Sequence, residues 1–267
     1  MRFGAHLPLI DLGAGEPTLA GLRAYARAAA ALDFEYLCAN DHLRFSRPWL
    51  DGPSALAAVL DAAEGMTVAT TVALPVIRGP APTAKLLAAL HRLSGGRLLA
   101  GLGPGSSRDD YAAVAIPFEE RWWRFEAAVL ALREELDVPL WIASWGSAAG
   151  LRRVARLGDG WLASAYNTTP AALRAGSARL NLPTALATTW LHVTDRRRDA
   201  ERMVTEVLAP LLGRAPETLR TLPIGSPEDC AERLSAYGAQ RVFLWPLTDE
   251  IRQLERFQDA VAPLLHR

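Results

Sequence analysis

The strongest constraint in this chain is a repeated alternation, in which eight short apolar runs are separated by longer stretches with helical spacing. The runs are Arg2 to Leu7, Tyr36 to Asn40, Thr67 to Leu74, Arg97 to Gly101, Leu140 to Ser144, Gly160 to Ala165, Ala185 to His192 and Arg241 to Trp245. Most are continuously apolar, the pattern of parallel strands covered on both faces. Between and after them, helices are expected over Leu19 to Leu32, Pro53 to Ala63, Pro82 to Leu93, Phe118 to Leu136, Ser147 to Leu157, Pro170 to Leu180, Arg197 to Leu212, Pro227 to Tyr237 and Asp249 to Leu265. Prolines at several of the starts and the pair Gly95-Gly96 after the third helix are fitting boundaries. A strict strand-helix order leaves a closed barrel or an open doubly wound sheet. Eight strands in 267 residues, with no linker, repeat or change of composition, favour an α/β fold of the (β/α)8 TIM barrel type, one domain over residues 1–267.

Charge narrows the function classes. Twenty-nine basic residues balance twenty-nine acidic ones, so no overall field draws the chain to nucleic acid or to an anionic membrane, and a small molecule is the expected partner. Met1 to Ile10 is apolar but carries Gly4, His6 and Pro8, too short and broken for a signal peptide. No run reaches the roughly 18 apolar residues of a membrane span. Cys38 and Cys230 are far apart and match no metal-ligand or redox spacing, so the expectation is a cytoplasmic protein with reduced thiols and no metal. In the Phe118 to Leu136 helix, Trp122, Phe125, Val129, Leu132 and Leu136 recur at three- and four-residue steps and read as a core-facing stripe.

Barrel active sites are built at the C-terminal ends of the strands. Four successive ends are chemically loaded: Asn40-Asp41-His42, Thr70-Thr71 with Pro75 and Arg78, Gly103-Pro104-Gly105-Ser106-Ser107, and Ser144-Trp145-Gly146-Ser147. The stretch Gly101 to Ser106 is a poor dinucleotide fingerprint, because its third glycine is displaced and Pro104 lacks an amide donor. Trp145 to Gly150 suits a helix N-terminus that receives an anion, or equally an ordinary cap made by Ser147.

Five segments in order carry a family resemblance: Arg2 to Pro8, Ala39 to His42, Leu93 to Gly105, Ile116 to Arg121, and Val138 to Ala143 running on to Leu157-Gly158-Asp159-Gly160-Trp161. Over nearly its whole length the chain resembles the bacterial luciferase-like superfamily of flavin- and deazaflavin-dependent oxidoreductases. The resemblance implies a barrel holding FMN or the deazaflavin coenzyme F420, with Asn40, Thr70, Thr71, Val72, Gly103, Gly105, Ser144 and Trp145 at the cofactor and its phosphate near Gly146, Ser147 and Arg121. It also implies a non-prolyl cis peptide at Thr71-Val72 and a homodimer formed through helices flanking strands two to four.

Two departures qualify it. Where luciferase-type members carry a phosphate-binding arginine, this chain has Pro104, which favours the deazaflavin. Only Glu134 to Asp137 separate the fourth helix from the fifth strand, a shortening of the excursion found in relatives. His42 is the candidate acid-base group, since an imidazole titrates near neutrality, with Asp41 expected to orient it. His6, Trp49, Tyr166, Trp190 and Trp245 are candidate substrate-pocket walls, with barrel-core filling as the competing role. Three functions are compatible: deazaflavin-dependent hydride transfer to or from a small organic substrate, an FMN-dependent monooxygenase using reduced flavin and oxygen, and a non-catalytic flavin-binding barrel.

Overall fold

A computed structural model describes residues 1–13 and 15–265. Strands β1 (Arg2–His6), β2 (Tyr36–Ala39), β3 (Thr67–Thr70), β4 (Leu98–Leu102), β5 (Leu140–Ala143), β6 (Gly160–Ser164) and β7 (Thr184–Val193) pair in sequence order, all parallel. A two-residue strand β8 (Ile224–Gly225) extends the outer end of β7, and β9 (Arg241–Pro246) closes the circle by pairing with both β7 and β1. The eight strands expected from sequence therefore form the barrel, and β8 is an addition that the sequence did not signal. Closure leaves the eight barrel strands without a free edge and collects their C-terminal ends in one ring.

The barrel interior is a second packed layer. Tyr36 and Cys38 of β2, Ala69, Leu99, Trp141, Leu162, Ala185 and Phe243 cluster inside, while the alternate residues, such as Leu37, join the larger core under the helices. This two-residue period explains why whole strands are apolar: both faces are buried. Both cysteines are free and buried.

Helices α1 (Leu19–Ala31), α2 (Gly52–Ala58), α3 (Pro75–Arg78), α4 (Pro80–Leu93), α5 (Arg108–Ala113), α6 (Arg121–Glu135), α7 (Ala148–Leu157) and α8 (Pro170–Leu180) cover the first six crossovers. Thr18, Asp51, Ser107, Ser147 and Thr169 cap α1, α2, α5, α7 and α8 by accepting a first-turn amide. Residues 136–139 are the whole link from α6 to β5, as short as the expected Glu134 to Asp137 but shifted by two residues because the helix runs on to Glu135. The helices expected over 197–212 and 249–265 have central π-helical turns at Met203–Leu208 and Phe257–Val261. α3, α5 and the turn Pro216–Leu219 were not anticipated, since four to six residues are too few to show a helical period. β3 ends at Thr70 rather than Leu74, and the Thr71-Val72 peptide that follows is cis, as the family resemblance implied.

On the β1–β7–β9 side the interior is filled by stacked aromatics. His6 lies parallel to Trp245 with ring centroids 3.6 Å apart, and Trp190 stacks on the other partner at 4.1 Å. All three side chains are at most 1% exposed, so they are core, and the expectation that they wall a substrate pocket is corrected. Sequence spacing places them near strand ends, but only the inward lean of three strands shows that they fill one another's space.

His6 Nδ1 donates to the Leu7 carbonyl at 2.8 Å, and burial lowers its pKa to about 3. The folded protein thus refuses a proton that the unfolded chain takes up below about pH 6.5. Stability should therefore fall as pH drops from about 6.5 toward 3, by about 1.4 kcal/mol per pH unit from this residue alone. Urea unfolding of wild type and His6→Phe across that window tests this, and the variant should lose that slope.

Candidate active site

A cleft opens at the C-terminal strand ends in two connected parts that share Val72, Gly105, Ser106 and Ser144. The inner part, of about 110 Å³, lies between Asn40, Asp41 and His42 after β2 and Ser164, Tyr166 and Thr188 on the opposite wall. The outer part, of about 290 Å³, runs from Gly103 to the start of α7, past Arg121, Trp122, Ser147 and Arg153.

His42 is held by a residue that sequence reasoning did not select. Asp110, fully buried at the start of α5, accepts from His42 Nδ1 at 2.9 Å, from the Leu43 amide at 2.9 Å and from the Arg44 amide at 2.7 Å. A carboxylate only accepts, so the Nδ1 proton is fixed and Nε2 is left as the basic nitrogen. Asp41 does not orient the ring. It is gripped by Arg78, whose Nε and Nη2 donate to its two oxygens at 2.5 and 2.7 Å, and Arg78 also pairs with Asp51, the cap of α2. These contacts raise the Arg78 pKa, the Asp41 hydrogen bond leading. Burial alone would push the Asp51 carboxyl up, but hydrogen bonds from Ser54 and Arg78 outweigh it and hold it below the usual range. Asp110 lies 68 residues from His42, and the only local signal at Asp110 is the Ser107 cap, so its partner is a tertiary fact.

The floor of the inner part is Thr71-Val72. Asn40 Oδ1 and Thr71 Oγ1 are buried there with no protein partner, and both belong to residues lining the cavity. Buried polar atoms are nearly always paired, so these two fit a ligand with a polar edge, such as a flavin-type ring. A Cβ at Gly103 would stand 2.5 Å from Val72 Cγ2, so glycine keeps this side open. Thr70 is corrected: its Oγ1 donates to the Gly101 carbonyl at 2.8 Å and accepts the Gly101 amide at 2.9 Å, tying β3 to β4 away from the cleft.

The outer part has the chemistry of an anion site. Gly146 turns the chain into α7 at φ +88°, a left-handed conformation that favours glycine, and its amide donates to Ser144 Oγ at 3.2 Å. Ser147 accepts the Gly150 amide at 3.1 Å, so the capping role is real, and the first-turn amides at the positive end of the α7 dipole begin beside it. Arg121 borders the same cavity, its guanidinium 3.9 Å from the Phe118 ring centre and 5.0 Å from that of Trp122. Arg153, which the sequence did not single out, lies 4.3 Å over Trp122 and is paired with Glu126 at 2.9 Å. Phe125, Val129 and Leu132 form the buried stripe as expected, but Trp122 is 40% exposed and belongs to the cleft, not the core. Among the described residues no His, Cys, Asp and Glu group could hold a metal ion.

Of the expected aromatic walls, Tyr166 lines the inner part, while Trp145, expected at the cofactor and 53% exposed, stands between the two parts. Trp49 is half-buried, edge-on to His42 at 4.9 Å and to Trp245 at 5.5 Å, so it backs the histidine rather than bordering the cavity.

Because Asp110 satisfies two loop amides and an imidazole at once, Asp110→Ala should cost about 1–3 kcal/mol for the groups left unpaired. Hydrogen exchange should localise the effect, with the Leu43 and Arg44 amides losing protection ahead of the strands. Unchanged protection at both would refute the role given to Asp110.

The family model for luciferase-like monooxygenases matches residues 1–138. The chain is 29% identical over 192 residues to an F420-dependent hydroxymycolic acid dehydrogenase of Mycobacterium tuberculosis, covering 59% of this chain and 52% of that protein. It is 28% identical over 177 residues to an F420-dependent glucose-6-phosphate dehydrogenase of Beutenbergia cavernae, covering 53% and 51%. The chain thus spans about half the length of these curated relatives. Among solved structures, an F420-dependent secondary alcohol dehydrogenase in complex with an F420-acetone adduct has a TM-score of 0.82 at 15% identity, over 99% of this chain and 98% of that one. The oxygenating constituent of 3,6-diketocamphane monooxygenase from Pseudomonas putida, in complex with FMN, has a TM-score of 0.71 at 15% identity, over 98% of each chain. At these identities the structural likenesses establish the barrel fold, and with the family model matching more than half its residues, this chain belongs to the luciferase-like monooxygenase family.

Proposed function

We propose that the protein is an oxidoreductase that binds coenzyme F420 and transfers a hydride between it and a small organic substrate. The observation that carries this reading is His42, fixed by Asp110 at the rim of a cavity that also holds the unpaired Asn40 Oδ1 and Thr71 Oγ1. Asn40, Thr71 and Val72 would hold the ring, and Arg121, Ser147 and the first amides of α7 would hold its phosphate. The ring, when bound, supplies the hydride acceptor or donor.

The chain's own contribution is proton handling and exclusion of water. With Nδ1 engaged by Asp110, His42 Nε2 accepts the hydroxyl proton of an alcohol as the adjacent C–H leaves as hydride, and returns it in the reverse direction. Phe45 and Trp49 pack on the imidazole at 5.1 and 4.9 Å and keep it from rotating away. The curated relatives named above as F420-dependent dehydrogenases support this choice of coenzyme. Pro104, whose place in luciferase-type members is taken by an arginine, supports it as well. The competing reading, an FMN monooxygenase, is favoured by the name of the matched family and by the FMN-bound neighbour.

Fluorescence titration of the protein with F420 and with FMN separates the two, and tighter F420 binding is expected. His42→Ala should keep F420 affinity while hydride transfer falls by roughly 10² to 10⁴. A variant within a few-fold of wild type would remove His42 from the mechanism, and substrate-dependent oxygen uptake with reduced FMN would establish the monooxygenase instead.

A homodimer and a cytoplasmic location are part of the same proposal. Leu93 on α4 and Trp123 and Leu130 on α6 are 67%, 58% and 51% exposed, on neighbouring helices that pack together beside β4. Among the described residues no helix is long and apolar enough to cross a membrane. Light scattering should give twice the chain mass of 28.9 kDa, and Leu130→Glu should shift it to the monomer.

A further inference from the structure

Thr188 has a backbone conformation that its sequence position does not explain. Its φ is +52°, a region that β-branched residues rarely enter. Among the described residues the other non-glycine positions with positive φ, namely Asp33, Ala115, Asn181 and Asp249, lie at turns or helix ends, whereas Thr188 lies inside β7. There the register against β9 slips between Leu186 and Thr189, which marks a bulge. Bulges in barrel strands re-aim a side chain, and strained backbone held inside a well-packed strand gathers at ligand sites. Here the re-aimed residue lines the inner cavity across from His42.

The hydrogen bonding around it has a direction. Thr188 Oγ1 donates to the Ala187 carbonyl at 2.7 Å, which leaves the Ser164 hydroxyl to donate to Thr188 Oγ1 at 3.1 Å. Ser164 Oγ in turn accepts from Asn167 Nδ2 at 3.1 Å, and Arg214 donates to Asn167 Oδ1 from the segment after β7. Every hydroxyl proton in this chain is already committed, while each hydroxyl oxygen keeps acceptor capacity. The Ser164–Thr188 pair is therefore uncharged and accepts hydrogen bonds without offering one, whereas Tyr166 on the same wall carries its own hydroxyl proton.

We propose that Thr188, with Ser164, is a positioning pair that accepts a hydrogen bond from an uncharged donor group in the inner cavity, and that the β7 bulge exists to place it there. The donor is either an N–H on the ring edge of the coenzyme or the hydroxyl of an alcohol substrate. Both rest on the ring-binding reading above, and both place the ligand between this wall and His42.

Thr188→Val keeps the size and branching of the side chain and removes its acceptor, and Thr188→Ser keeps the acceptor. Each is compared with wild type for the F420 dissociation constant by fluorescence, for the apparent Michaelis constant with isopropanol as probe alcohol, and for the Tm of the cofactor-free protein. Thr188→Val should weaken one of the two constants by about 3- to 10-fold, the effect of one neutral hydrogen bond, and Thr188→Ser should restore it to within about 2-fold. A rise in the F420 constant identifies the ring edge as the donor, and a rise in the Michaelis constant alone identifies the alcohol. Thr188→Val with both constants unchanged, or a loss that Thr188→Ser does not restore, overturns the proposal while leaving the ring-binding reading intact. Wild-type protein that binds neither F420 nor FMN overturns both.

Discussion

Everything at the site depends on the closure of the sheet by β9, which pairs with β1 on one side and β7 on the other. Closure requires the strands to tilt, and because a helical crossover returns the chain after each one, all eight run parallel and their C-terminal ends gather in one ring. That convergence brings Asn40 and His42, Thr71 and Val72, Ser144, Ser164 and Thr188 to one small cavity although they span some 150 positions of sequence. The interior plug of Tyr36, Trp141, Phe243 and their neighbours sets the depth of that cavity from below.

The two sides of the barrel mouth have different physical characters. Toward β1, β7 and β9 the space is filled by the His6–Trp245–Trp190 stack, and burial keeps His6 neutral. Toward β3, β4 and β5 small residues leave it open, Gly103 because any side chain would strike Val72. The open side leads out to Arg121, Arg153 and the N-terminus of α7, where aromatic rings lie beside both guanidinium groups. An extended ligand with a flat head and an anionic tail matches this division. The filled side limits the space left for a second reactant beside His42, which suits a compact substrate.

Charge is arranged to hold loops as much as to do chemistry. Arg78 clamps Asp41 and Asp51, so the loop after β2, the cap of α2 and the segment after β3 are fixed to each other. Asp110 performs the same service for the loop that carries His42, through two amides and the imidazole. Both devices are largely buried, where losing one partner leaves the other charge uncompensated. The imidazole of His42 is thereby fixed in one orientation at the cleft.

The sequence by itself determined the strand-helix order, the eight barrel strands to within a few residues, the short link before β5 and the strand ends that border the cleft. These are local matters of periodicity, capping and chain length, and buried parallel strands write them as unbroken apolar runs. Tertiary structure decided which residues meet. It gave His42 to Asp110 and Asp41 to Arg78, moved Trp122 from the core stripe to the cleft, sent His6, Trp190 and Trp245 into the core, and turned Thr70 away from the ligand side. It also placed the bulge at Thr188, for which no residue nearby in sequence gives a signal. The reason is that a side chain's partner is fixed by where distant strands bring their ends and by what space the neighbouring side chains leave, and neither quantity is a property of a window of sequence.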